Sequence, residues 1–359
     1  MRLLAKKAFV GLDLGHHAIK AVQLEQTHTG WRVTRTASTA TPPEAIKDGV
    51  VVDQEAVSNA IRDLLRDSHI TATAAHIAVA GASVVVRTVR IPKMPESTLR
   101  KSIKFEASRY VPSSVNDSYI EFEILGEADE NQMDVMMVAA PKDVVESRIA
   151  ACEGAGLEVE SVDVEPFAAY RSLAESGLTP EWAEGTFALV DIGASTTNLS
   201  VVQDGVFTMT RSIPNGGNTL TDALKSYFKL GDSDAENGKL QLDLTELLEE
   251  GKPRENPPLR VLQPHLDDLV REVRRSLNYF QSQQTDGTEA KQVKRIIVTG
   301  GGAKLPGMAQ YIAHKLQLPV ESVGVLSSAN FTHSGPVEEI GLDLSVASGL
   351  AMRGFERAA

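Results

Sequence analysis

The residues whose types and spacing could do chemistry are two Asp-x-Gly turns and a run of three glycines. The first turn runs from Asp13 through Gly15, His16 and His17 to Lys20. The second runs from Asp191 through Gly193, Ala194, Ser195, Thr196 and Thr197 to Asn198. The third, Gly300-Gly301-Gly302, follows the apolar stretch Arg295-Ile-Ile-Val-Thr299. Glycine lets main-chain N–H groups come close to an anion, and successive turn amides form a nest that holds phosphate without a dedicated charge. A carboxylate beside each such turn repels phosphate unless a cation stands between them. Asp13 and Asp191 therefore suit Mg²⁺ held through its waters, since this ion keeps much of its hydration. Lys20 can neutralise a β- or γ-phosphate, and Ser195, Thr196 and Thr197 add hydroxyls and amides. The implied ligand is a nucleotide.

Each motif alone is an ordinary turn; duplication makes them a site. Phe9–Leu24 lies without a gap over Phe187–Val202, Asp13 over Asp191 and Gly15 over Gly193. Each copy reads as an apolar strand, a polar turn and a second strand. Third strands are expected at Trp31–Ala37 and Val206–Ile213, with Thr34-Arg35-Thr36 echoing Thr210-Arg211-Ser212. Two such hairpins, each followed by helices, predict an α/β protein of two related lobes facing each other across a cleft.

Between the copies, helices are expected over Gln54–Asp67, Glu96–Tyr110, Lys142–Ala155 and Pro166–Ala174. Strands are expected at Ala75–Val79, Val84–Ile91, Tyr119–Leu125, Met133–Ala139 and Glu158–Val164. The basic helix Glu96–Tyr110 is bracketed by Pro92, Pro95 and Pro112 and opens a small inserted subdomain. Beyond the second copy, helices are expected at Asn218–Phe228, Pro264–Gln283, Gly307–Leu316 and Leu344–Arg353.

Composition bounds the remaining choices. The chain has 359 residues, 42% hydrophobic and 23% charged, a globular composition of two or three domains. A net charge of −12 without a long basic run argues against nucleic acid. Cys152 is the single cysteine, so neither an intrachain disulfide nor a multi-thiolate metal site is expected. No apolar stretch is long enough to cross a bilayer, and neither terminus reads as a signal or an anchor, so any membrane association is expected to come through a partner. Gly302-x4-Gly307 is followed by Met308, where a P-loop needs Lys. Position 305 is Leu, where a dinucleotide fingerprint needs Gly, and Gly193-Ala-Ser195-Thr-Thr lacks the closing glycine of a nucleophile elbow.

The two Asp-x-Gly hairpins, the junction Val162-Asp-Val-Glu165-Pro166-Phe167 and Val298-Thr299-Gly300-Gly301-Gly302-Ala303 resemble the phosphate, connect and adenosine motifs of the actin-like ATPase superfamily. Within it, Val10-Gly-Leu-Asp-Leu-Gly15 with Ile19-Lys-Ala-Val22, Asp163-Val-Glu-Pro-Phe-Ala168 and Asp191-Ile-Gly-Ala-Ser-Thr-Thr-Asn198 resemble the PilM family of cytoplasmic type IV pilus assembly proteins, with the FtsA division proteins next.

The resemblance implies an actin-like ATPase fold with a smaller subdomain inserted in each lobe. The first lobe then takes 1–91 and 157–175, its insert 92–156, the second lobe 176–220 and 291–359, and the second insert 221–290. It implies ATP and Mg²⁺ as cofactors and extends the binding set to Gly216, Gly217, Lys239, Arg274 and Lys304. Glu165 stands where a family residue can polarise the attacking water; read plainly, it caps the helix at Pro166. His16-His17 replace the usual Ser or Thr, and Asn198 replaces a common Asp, so ATP binding is the firmer expectation and hydrolysis weak or absent. The implied partner is a PilN-type inner-membrane protein, bound by its N-terminal cytoplasmic peptide near the junction of the first lobe and its insert. Other pilus platform and motor proteins are further partners, which places the chain in the cytoplasm, peripheral to the inner membrane, in pilus biogenesis and twitching motility. The alternatives are an FtsA-like filament former and a small-molecule kinase of the same superfamily.

Overall fold

Each copy of the duplicated segment opens with an apolar run that must be buried on both faces, which only a central strand satisfies. In a computed structural model, Phe9–Leu14 and Thr186–Ile192 are those strands, each at the heart of its own sheet. The structure describes residues 8–111, 114–175, 185–249, 255–283, 292–327, 330–333 and 341–355. Pro112, the terminal segments and the expected lobe boundaries at 176 and 290 lie outside these.

The first sheet has the order Glu158–Val164, Ala74–Val79, Phe9–Leu14, Ala18–Thr27, Gly30–Ala40, with Phe331–His333 added at its edge. The second has the order Val320–Ser322, Arg295–Thr299, Thr186–Ile192, Thr197–Gln203, Val206–Ile213. Strand for strand, the five shared positions follow one topology, antiparallel through the hairpins and parallel beyond them. Even a β-bulge recurs, between Gln23 and Leu24 in one copy and between Val201 and Val202 in the other. These are equivalent positions in the alignment of the repeat, and bulges are features that divergence tends to keep.

The echo expected in the third strands is out of register by two residues. Val22 pairs with Thr36 and its equivalent Ser200 with Thr210, so Thr36 corresponds to Thr210. Sequence likeness over three residues is too short to set register; the ladder sets it.

Several boundaries also move. The long helix expected from Pro264 begins at Pro257, where Asn256 caps it by accepting from the Leu259 amide, and Pro264 sits inside on the exposed side. The helix expected over Pro166–Ala174 starts at Glu165 and turns into a π-helix at Arg171–Glu175. The inserted block is a sheet of Val85–Pro92, Gln132–Pro141 and Ser118–Glu127 covered by the helix Glu96–Ala107. Its expected last helix, Lys142–Gly154, instead buries Ala151 and Cys152 in the core of the first lobe. The final helix, Ser345–Arg353, placed with the second lobe by sequence, packs on the first sheet. Gly11 permits that contact, since a Cβ there would run into the Ala347 carbonyl. Among the described residues, those of 221–249 and 255–283 that are buried and apolar pack into one core with the second sheet.

Candidate functional site

The turns that close the central strands of both sheets face one cleft of about 280 Å³. Asp13 pairs in register with Lys20 and Asp191 with Asn198, so each hairpin sets its carboxylate beside the residue seven positions on. The copies then diverge in charge. Lys20 Nζ donates to Asp13 Oδ2 at 2.8 Å. Among the described residues the Asp191 carboxylate accepts no hydrogen bond, and Asn198 Nδ2 donates to Glu165 Oε2 at 3.3 Å instead.

The turns themselves are frameworks of main-chain polar groups. Gly193 N donates to Thr196 O at 2.9 Å, and the Gly217 and Asn218 amides, at the start of the helix Gly217–Phe228, donate to the Gly193 and Ala194 carbonyls. The amides of His16, His17, Ala194, Ser195 and Thr196 have no protein acceptor among the described residues. Gly300 has φ +88°, and a Cβ there would meet the Asp191 carboxylate and the Ile192 carbonyl. Only glycine brings the third turn so close to the second.

Of the residues expected from sequence, Asp13, Gly15, His16, His17, Lys20, Glu165, Asp191, Gly193, Ala194, Ser195, Thr196, Gly217, Lys239, Gly300, Gly301, Gly302 and Lys304 line this cleft. Three do not. Thr197 is fully buried, with its hydroxyl donating to Asn215 O at 2.7 Å. Gly216 lies beneath the second turn, where a Cβ would meet Gly193 O at 2.6 Å. Arg274 is exposed on the helix Pro257–Ser282 and donates to the Lys315 carbonyl, away from the cleft. Glu165 does not cap its helix: Val164 is the N-cap residue and makes no side-chain bond, while the Glu165 carboxylate faces the cleft.

Sequence reasoning missed Arg148, Glu236 and Asp343. All three line the cleft, from helices or turns that carry no recognisable motif. Glu236 and Thr221 engage Lys239 Nζ at 2.7 and 2.9 Å, and Asp343 pairs with Lys304 at 3.1 Å.

Burial and negative charge raise the acids at the centre. Burial first, then repulsion by Asp13, pushes Glu165 up to about 7 and Asp191 up to about 6. Burial opposes the charge on Lys20, but Asp13 outweighs it and Lys20 titrates above its ordinary value. Burial and then the nearby Arg148 lower His16. The thiol of Cys152, outside the cleft, is pushed up by burial to about 12 and is inert.

Two lobes of one topology, closed over three glycine turns, define an actin-like ATPase fold, and the solved structure of MreB5 of Spiroplasma citri bound to AMPPNP shares it at a TM-score of 0.51, 15% identity and coverage of 96% of this chain and 95% of that one. A family model described as type IV pilus assembly protein PilM matches residues 11–355, and the chain belongs to that family. The structure of a PilM-PilN type IV pilus biogenesis complex covers 98% of this chain and 100% of its own, with a TM-score of 0.85 and 27% identity. The cell division protein FtsA of Streptococcus pneumoniae is 21% identical over 366 residues, covering 90% of this chain and 78% of its own length. Among the described residues no helix is long and apolar enough to cross a membrane.

Proposed function

We propose that this PilM-family chain is a nucleotide-responsive scaffold of the type IV pilus inner-membrane platform, binding Mg·ATP in the cleft and a PilN-type N-terminal peptide beside it. The observation that carries the reading is the convergence of three glycine turns, five of whose amides lack a protein acceptor, on one cleft between the lobes. Asp13 and Asp191 both line the cleft beside the glycine turns, and two carboxylates facing one space fit a Mg²⁺ ion that keeps most of its waters. The bound ion would screen triphosphate charge from these two acids. Glu165 is aimed into the same space and can orient a water; with Asn198 its one side-chain hydrogen-bond partner among the described residues, turnover is expected to be slow or absent.

A second cavity supports the peptide part of the reading. A groove of about 540 Å³ runs between Val85–Pro92, an edge strand of the insert, and Val206–Ile213, an edge strand of the second lobe. Unpaired strand edges recruit extended peptides by main-chain hydrogen bonds. Val164 and Pro166 line this groove while Glu165, between them, lines the cleft. The wall between nucleotide and peptide is therefore one residue thick there, which gives nucleotide state a route to the groove. Membrane association then comes through the partner.

The test is calorimetric titration with Mg·ATP, followed by a synthetic PilN N-terminal peptide, with phosphate release monitored throughout. Micromolar binding of both with little release is the expected result. No binding of Mg·ATP sinks the nucleotide reading, and rapid turnover on an added sugar or acid would favour the kinase alternative.

A further inference from the structure

Arg148 is the cleft residue that neither the motifs nor the hairpins explain. It sits midway along the helix Lys142–Gly154, is 1% exposed, and lines the cleft behind the first turn. Its Nε donates to Gly49 O at 3.0 Å, and its Nη1 to Leu14 O at 3.1 Å and Ala78 O at 3.2 Å. All three acceptors are neutral carbonyls.

Four Lys or Arg side chains among the described residues line the cleft. Lys20 is paired with Asp13, Lys239 with Glu236 and Lys304 with Asp343; Arg148 is in ion-pair contact with no carboxylate among the described residues. Burying a charge without a counter-ion costs several kcal/mol. A neutral amide could satisfy main-chain carbonyls at less cost, so the bonds alone do not account for the charge.

The identity of the carbonyls is informative. Leu14 immediately precedes Gly15-His16-His17, and Ala78 lies two residues before Ala80 and Gly81, which also line the cleft. One planar fork thus anchors both loops that wall the cleft on the first-lobe side. Its field reaches the groups that face it, acting with burial to lower His16 and, against burial, favouring the charged form of Glu165.

We propose that Arg148 is a positioning residue of the nucleotide site: it holds the first phosphate turn by its carbonyl and supplies the fixed positive charge that lets an acidic cleft accept a polyphosphate. The inference rests on the nucleotide reading above. It predicts an effect graded by phosphate charge, which a purely structural tie would not produce.

The experiment compares wild type, Arg148→Met and Arg148→Lys by calorimetry with Mg·ATP and with adenosine, alongside circular dichroism melts and NMR titration of His16 in the ligand-free protein. Arg148→Met should weaken Mg·ATP by about tenfold or more, change adenosine affinity less than about twofold, and raise the His16 midpoint. Arg148→Lys should recover most of the Mg·ATP affinity and leave His16 low. Unchanged Mg·ATP binding in a folded Arg148→Met variant overturns the proposal, as do equal losses for the two ligands. If Arg148→Met does not fold, Arg148→Lys decides: retained selectivity for Mg·ATP over adenosine supports the role of charge, and a loss shared equally by both ligands refutes it. Failure of the wild type to bind Mg·ATP is a different outcome, which removes the nucleotide reading itself.

Discussion

Replacing Glu165 by Gln should make the ligand-free protein more stable in neutral solution, with only about a quarter of that gain present at pH 5. The carboxyl is held at about 7 against an ordinary value of 4.5, because burial and Asp13 both disfavour its charge. Below pH 4.5 the folded and unfolded chains are both protonated at this position, and it contributes nothing. Between 4.5 and 7 the folded protein keeps a proton that the unfolded chain has lost, so stability falls as pH rises. Above 7 the full penalty applies, about 3 kcal/mol at 1.36 kcal/mol for each tenfold. The Gln amide oxygen can still accept from Asn198 Nδ2, so the one hydrogen bond at the site survives. Urea unfolding at pH 5, 6 and 8, without nucleotide or divalent metal, reads the effect directly. The expected pattern is a gain for Glu165→Gln of about 1 kcal/mol or less at pH 5 that grows to about 3 kcal/mol at pH 8. A constant difference across that range would falsify the assignment of a buried, charge-crowded carboxyl.

Other perturbations follow the same geometry. Lys20→Met strands the buried Asp13 carboxylate and should cost about 3–5 kcal/mol in urea unfolding, with Asp13→Asn added in the same chain restoring much of it; a cost below about 1 kcal/mol contradicts the pairing. Gly349→Ala places a Cβ against the Ala168 carbonyl where the last helix crosses the connecting helix, and should destabilise by about 3 kcal/mol. Gly238→Ala, in open space on the helix Asp232–Leu240, is the matched control and should stabilise by about 0.5–1 kcal/mol. Leu262→Ala, fully buried beneath the second sheet, should cost about 2–5 kcal/mol by lost burial and the cavity left behind; melting temperatures rank these three variants.

Much of the architecture was legible before the fold was known because a duplication repeats its constraints. The two Asp-x-Gly turns had to be equivalent, and equivalent strands build equivalent sheets, so the shared topology and the facing turns follow from Phe9–Leu24 and Phe187–Val202. Local periodicity located Gln54–Asp67, to which the structure adds a cap by Asp53, accepting from the Ala56 amide. It misjudged Pro264, because a proline reads as a helix start by default and only the Asn256 cap and the packing of Leu259 and Leu262 reveal the two earlier turns. It also divided the chain by position along the sequence, whereas the last helix returns to the first lobe, a choice made by the fit of Ala347 against Gly11.

What the sequence determined by itself was therefore the repeated unit: two strands, a small-residue turn and a carboxylate in each copy, since hairpins and glycine turns depend on residues close together in the chain. What only the tertiary structure decided was the charge balance of the cleft. Lys20 and Asn198 occupy the same place in the repeat, yet one neutralises Asp13 and the other turns to Glu165. Arg148, Glu236 and Asp343 reach the cleft from segments with no motif at all. Those outcomes depend on which distant groups are buried together, and burial is what makes a charge costly, a pairing obligatory and a carboxyl titrate near neutrality.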